Sequence, residues 1–164
     1  SRVHQLKNSY YTYINPLQVG AALAGKDQST LQAMYEFGIP AGIAFQLRDD
    51  IIGLFGTEEA TGKSVLDDLK EGKMTLLINY ALTHGSDDQL EVIRGALGNE
   101  AVTNEQHEAV KRIVVDTGAL QYTEEKAREY AQASQTVITA QNEWPQDMKT
   151  FLSGLVDYTI ERNR

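Results

Sequence analysis

Phe45-Gln46-Leu47-Arg48-Asp49-Asp50-Ile51-Ile52-Gly53-Leu54-Phe55-Gly56 is the stretch on which the reading of this chain turns. Its apolar residues return at intervals of three and four, the spacing of one helix face, and it shows none of the alternation of a half-buried strand. Successive helical residues diverge by about 100°, so Asp49 shares a face with Gly42, Gln46 and Gly53 while Asp50 points elsewhere. Only one of these two carboxylates can dominate that face.

The same periodicity persists outward in both directions, so the chain reads as all-α. A first helix is expected to about Tyr13, broken at Asn15-Pro16 because proline lacks a donor and disfavours helical geometry before it. Pro16 opens the next helix, 17–23, which stops at Gly25. Ser29 and Gln32 resemble a capping box for a long helix towards Phe55. A kink is expected at Gly38 and Pro40, since an internal proline costs ~3 kcal/mol. Residues 56–73, rich in glycine and charge, read as a loop. Helices follow over 74–83, 87–97, 103–117, 120–142 and 146–162, with Thr103 and Gln106 as a second capping box. Residues 1–164 are taken as part of one domain, with the motif-bearing helices in 1–77 and terminal helices in 78–164.

Bulk properties narrow the function. Of 164 residues, 23 are acidic and 15 basic, for a formal charge of −8 that repels nucleic acid and anionic lipid. An anionic ligand must therefore be held locally, by clustered lysines or by metal ions that reverse the sign of a carboxylate-lined site. No cysteine is present, which excludes disulfides, thiolate ligands and a cysteine nucleophile, and agrees with a cytoplasmic location. The apolar runs at 41–45 and 51–55 fall far short of the ~20 residues of a bilayer span, so no membrane insertion is expected. A chain opening on Ser1-Arg2-Val3-His4, in mid-helix and without methionine, reads as a piece of a longer one.

The chemistry gathers around Asp49. Mg²⁺ accepts few protein carboxylates and keeps waters or phosphate oxygens, so one aspartate plus a diphosphate suffices as a site. A bare Asp-Asp pair is usually only a solvated face, but here Lys63 follows in Thr61-Gly62-Lys63-Ser64, then Asp68, then Gly72-Lys73-Met74-Thr75. Lysine supplies a compact charge with three donors, and the glycines before Lys63 and Lys73 permit backbone conformations closed to other residues. Gly56 to Ser64 nearly spells a P-loop but fails: five residues separate Gly56 from Gly62 where four are needed, a helix precedes it, and Glu58-Glu59 would repel nucleotide phosphates.

In order, these pieces resemble the polyprenyl synthetase family, the trans-isoprenyl diphosphate synthases. The family's second aspartate-rich motif reads Phe-Gln-(Ile/Leu)-x-Asp-Asp-x-x-(Asp/Gly), followed by a Gly-Lys and an Asp-x-x-x-Gly-Lys segment. Upstream, Lys7-Asn8-Ser9-Tyr10-Tyr11 and Asn15-Pro16-Leu17-Gln18-Val19-Gly20-Ala21-Ala22 look like its Lys-Thr and Pro-(x)₃-Gly-Ala segments. The resemblance implies the carboxy-terminal portion of an antiparallel helix bundle of the isoprenoid synthase type. It implies condensation of an allylic diphosphate with isopentenyl diphosphate to farnesyl or geranylgeranyl diphosphate. Asp49 would hold Mg²⁺, Lys7, Lys63 and Lys73 would bind diphosphate oxygens, and Gln46 would lie near the allylic moiety.

Three departures stand out. Asn8 replaces the usual threonine, leaving an amide oxygen in its role. Gly53 stands where many members carry a third aspartate, and Leu66 where a glycine usually precedes the loop aspartate. The family's first aspartate-rich motif, Gly-Lys-x-x-Arg segment and paired arginines have no counterpart in residues 1–164, so the chain alone is expected to be inactive. A homodimer, or association with the amino-terminal half, is expected. A terpene cyclase or squalene-type synthase is disfavoured by the Gly-Lys pairs; a non-catalytic dimerisation or regulatory module is the remaining alternative. Tyr10, Tyr11 and Tyr13 are read as core or interface residues, Trp144 as a packing anchor, and His4, His84 and His107 as surface or satisfied core residues.

Overall fold

In the computed structural model, which describes residues 9–62 and 64–162, every regular element is helical. Ser9–Ile14 winds as a π-helix and passes directly into α1, Asn15–Leu23, whose first turn contains Pro16. The expected break at Asn15-Pro16 is thus a change of winding, because a proline in a first turn has no N–H to lose. At the far end of α1, Gly25 takes φ 68°. Its N–H bonds to the Ala22 carbonyl and that of Lys26 to the Ala21 carbonyl, both at 3.0 Å, which is how a glycine closes a helix.

The long helix α2, Gln28–Phe55, contains Pro40 and stays helical on both sides of it. Its start corrects the expected cap. Asp27 Oδ1 accepts the Thr30 amide at 3.0 Å and the hydroxyls of Thr30 and Ser29 at 2.8 and 2.9 Å, so Asp27 takes the capping role instead of Ser29. A carboxylate satisfies the open amide and also suits the positive end of the helix, and these bonds hold its pKa below the usual range.

Beyond α2 come two short helices, α3, Glu58–Thr61, and α4, Asp67–Lys70, inside the segment expected to be loop. Then follow α5, Leu76–His84, α6, Asp87–Ala96, α7, Asn104–Asp116, α8, Ala119–Ala140, and α9, Gln146–Glu161. These five lie within two residues of the expected ends. Reciprocal capping boxes open α6, by Ser86 and Gln89, and α7, by Thr103 and Gln106.

The chain divides into two packed units. The first, residues 9–48 and 126–162, buries Tyr13, Phe37, Ala41, Trp144, Leu152 and Val156. Here α2 meets the π-helical stretch through missing side chains. A Cβ on Gly38 would stand 2.5 Å from Ile14 Cγ1, and one on Gly42 would overlap Ser9, whose hydroxyl donates to the Ile39 carbonyl at 3.3 Å. The Tyr13 hydroxyl lies 3.0 Å from that of Thr159, Tyr10 packs edge-on against Tyr35, and Tyr11 is 70% exposed.

The second unit, residues 49–125, is built on Leu54, Leu69, Leu77, Ile93, Val110 and Val114. His107 is buried, with Nε2 3.0 Å from the Leu54 carbonyl, near the end of α2 where helical carbonyls lack intrahelical donors. Burial first, and then the Lys111 charge, lowers its pKa. His84 is exposed and stacked on Tyr80, while His4 lies outside the described residues.

Candidate functional site

Asp49 and Asp50 sit in the penultimate turns of α2 and part as helix geometry requires. Asp50 is 5% exposed, and its Oδ1 lies 3.1 Å from Lys73 Nζ. Asp49 keeps partial exposure. The same Lys73 ammonium stands 3.0 Å from Asp68 Oδ2, so one cation bridges a helix carboxylate and a loop carboxylate.

The local sequence explains how Lys73 arrives there. After α4, Gly72 adopts φ 65°, a conformation that disfavours a side chain. Its N–H reaches the Leu69 carbonyl at 3.0 Å, and the Lys73 N–H reaches the Asp68 carbonyl at 2.9 Å. That paired closure folds the chain back over α4. Asp68 therefore holds Lys73 twice, by its backbone oxygen and by its carboxylate. Gly62, at φ 67°, shows the same left-handed conformation before Lys63, in line with the expectation for both glycines.

Burial pulls the Lys73 pKa down, but Asp50 and then Asp68 pull it up, and the net displacement is upward. Lys73 is therefore a fixed positive charge at neutral pH. Gly53 lies one turn beyond Asp49 and Asp50, and a Cβ there would stand only 2.7 Å from Asp68 Oδ2. Asp50 and Asp68 thus close on the Lys73 ammonium together.

No group of three or more His, Cys, Asp or Glu residues arranged to hold a metal occurs among the described residues. A metal at Asp49 would take its other ligands from water or phosphate oxygens, which fits Mg²⁺, a small hard cation that keeps such ligands. Gln46, three residues before Asp49 on α2, is buried within the first unit at 8% exposure. Lys7, Asn8 and Lys63 lie outside the described residues, so of the four groups expected around one diphosphate the structure describes Asp49 and Lys73. Sequence reasoning did not foresee Asp50 and Asp68 as partners of Lys73. The available signal was Asp68-x-x-x-Gly72-Lys73, whose glycine turn returns the lysine to the aspartate.

Residues 1–115 match the family described as Polyprenyl synthetase. Over 145 residues the chain is 36% identical to a geranylfarnesyl diphosphate synthase of Aeropyrum pernix, covering 88% of this chain and 44% of that protein. Against a geranylgeranyl pyrophosphate synthase of Geoglobus acetivorans, identity is 34% over 145 residues, with 88% and 43% covered. Among solved structures, a geranylgeranyl pyrophosphate synthase from Corynebacterium glutamicum, complexed with isoprenyl diphosphate and magnesium, superimposes with a TM-score of 0.91 at 30% identity. It covers 99% of this chain and 45% of that one. The chain therefore spans less than half the length of these relatives. The match over all the motif-bearing residues, together with the fit of nearly the whole chain to a solved relative, supports one conclusion: this chain belongs to the polyprenyl synthetase family.

Proposed function

We propose that this chain furnishes one side of a prenyltransferase active site. The reaction condenses an allylic diphosphate with isopentenyl diphosphate to give farnesyl or geranylgeranyl diphosphate. The observation that carries this reading is the division of the Asp-Asp pair: Asp50 is buried against the Lys73 ammonium, while Asp49 keeps partial exposure and is the carboxylate assigned to a cation. Asp49 would hold Mg²⁺, which when bound would supply positive charge for the departing diphosphate.

The difficult event is the break of the allylic C–O bond, in which diphosphate leaves with the electron pair. Lys7, Lys63 and Lys73 stabilise that leaving anion as charge develops on it. The isopentenyl double bond then donates its electrons to the allylic cation, forming the new C–C bond, and loss of a proton restores an alkene. Gln46 would lie near the allylic moiety, and Asn8 would offer an amide oxygen as a dipole where the family usually has a threonine. The isopentenyl diphosphate site and the remaining metal ligands are assigned to residues outside these 164, on this polypeptide or another, so this chain alone transfers no prenyl group. The complete enzyme is assigned to the cytoplasm as a homodimer. No described helix is long and apolar enough to cross a membrane.

Isothermal titration with inorganic pyrophosphate, and with a bisphosphonate, tests the reading. Binding is expected only with Mg²⁺ present and falls about tenfold or more in Asp49→Asn, the loss of one charged ligand at ~1.4 kcal/mol per decade. Absence of Mg²⁺-dependent binding, or an Asp49→Asn variant that binds as wild type, would falsify it in favour of a non-catalytic helical module.

A further inference from the structure

Beside its family's motif, Gly53 reads as a missing carboxylate, but its surroundings give it a different part. An ideal Cβ at position 53 would stand 2.7 Å from Asp68 Oδ2 and 3.4 Å from Asp68 Cγ. That same Oδ2 accepts the Lys73 ammonium at 3.0 Å. Asp50, which also holds the ammonium, at 3.1 Å, lies three residues before Gly53 on α2.

We propose that Gly53 is a positioning residue: its bare backbone forms a slot for the Asp68 carboxylate, and the depth to which Asp68 enters fixes where the Lys73 ammonium sits between Asp68 and Asp50. A carboxylate is thus delivered to this turn of α2 from α4. Asp68 is held at its backbone by the closure of α4 on Gly72 and at its carboxylate by the slot and by Lys73. A methyl group in the slot displaces the tip of one flexible side chain and leaves backbone packing untouched. The consequence is electrical: as Asp68 withdraws, Lys73 loses one of the two carboxylates that raise its pKa.

Two readouts separate this role from general packing. The first is the rate at which Lys73 is acetylated by acetic anhydride at pH 8, read by mass spectrometry against exposed lysines of the same chain. Gly53→Ala and Asp68→Asn each raise that relative rate about three- to tenfold, the range of ordinary coupling between groups in contact. In the double variant the Gly53→Ala increment disappears, because the slot acts through Asp68. An unchanged rate in Gly53→Ala, or an increment that persists undiminished beside Asp68→Asn, overturns the proposal. Asp68→Asn leaves α2 untouched, so the loop arm stands even if the helix variant fails to fold.

The second readout, Mg²⁺-dependent affinity for inorganic pyrophosphate, rests on the diphosphate reading above. Parallel losses in both single variants, non-additive in the double, support the positioning of Lys73 for that ligand. An affinity that stays constant while the acetylation cycle behaves as expected removes Lys73 from the diphosphate site and leaves the slot standing.

Discussion

Two stretches of one helix use glycine for opposite ends. At Gly38 and Gly42, α2 lacks side chains so that neutral chain, Ile14 and Ser9, can lie against it. At Gly53, three turns beyond Gly42, it lacks one so that a charged group, the Asp68 carboxylate, can approach. The absence at Gly42 is filled in part by the Ser9 backbone, which cannot retreat. That at Gly53 is filled by the end of a side chain, which can. The lesson is that a helical glycine, which by itself costs roughly 1 kcal/mol against alanine, is explained by what occupies its empty space.

That contrast is open to direct attack. Gly42→Ala should be the most damaging change: helix propensity gains ~1 kcal/mol, but overlap with Ser9 outweighs it, for a net loss of about 3 kcal/mol in urea unfolding. A neutral or stabilising result would erase the distinction. Lys73→Met leaves Asp50 buried without its ammonium, and because Lys73 is itself 38% exposed the loss is discounted from buried-pair values to about 2 kcal/mol. Thr103→Ala, which opens the capping box of α7 without touching either glycine region, should cost about 1 kcal/mol and serves as the local reference. Gly53→Ala should move the unfolding midpoint least, by under ~0.5 kcal/mol, while changing Lys73 reactivity, since propensity gain and a displaced ion pair oppose each other.

Acid provides a smaller perturbation of the second unit alone. Burial holds His107 below its usual pKa, so the unfolded chain takes up the proton first as pH falls. Stability is fully present above about 6.5 and declines from there towards the folded value. Melting curves from pH 7.5 to 5 should show this decline, and His107→Gln should flatten it. Lys73 behaves in the opposite sense: its contribution is complete below about 10.5 and is lost as pH rises through the higher folded value.

Much of this was legible in residue order. The periodicity placed the five helices from Leu76 onward to within two residues, and Thr103 with Gln106 announced their cap. The cap of α2 is equally local, but Ser29-x-x-Gln32 shows a capping-box spacing, whereas Asp27, which satisfies three donors, shows none. At the site, motif order points to Asp49 and Lys73, and the glycine turn before Lys73 leads back to Asp68, but no local spacing connects Asp50 on α2 to that ammonium. For His107 the sequence leaves surface and satisfied core both open; the structure decides for the core, through the Leu54 carbonyl 53 residues away, which leaves no trace in the pattern.

By itself the amino-acid order determined the helical class, the divergence of Asp49 from Asp50 and the glycine turn before Lys73. Each is governed by dihedrals and hydrogen bonds spanning no more than about five residues. Only the tertiary structure decided that Asp50 and Asp68 take Lys73 between them, that Gly53 admits a carboxylate, and that Gly42 admits a backbone. Those choices depend on which surfaces meet when α4 and its loop, or the π-helical stretch, dock on α2, and close packing resolves them at the scale of a single methyl group.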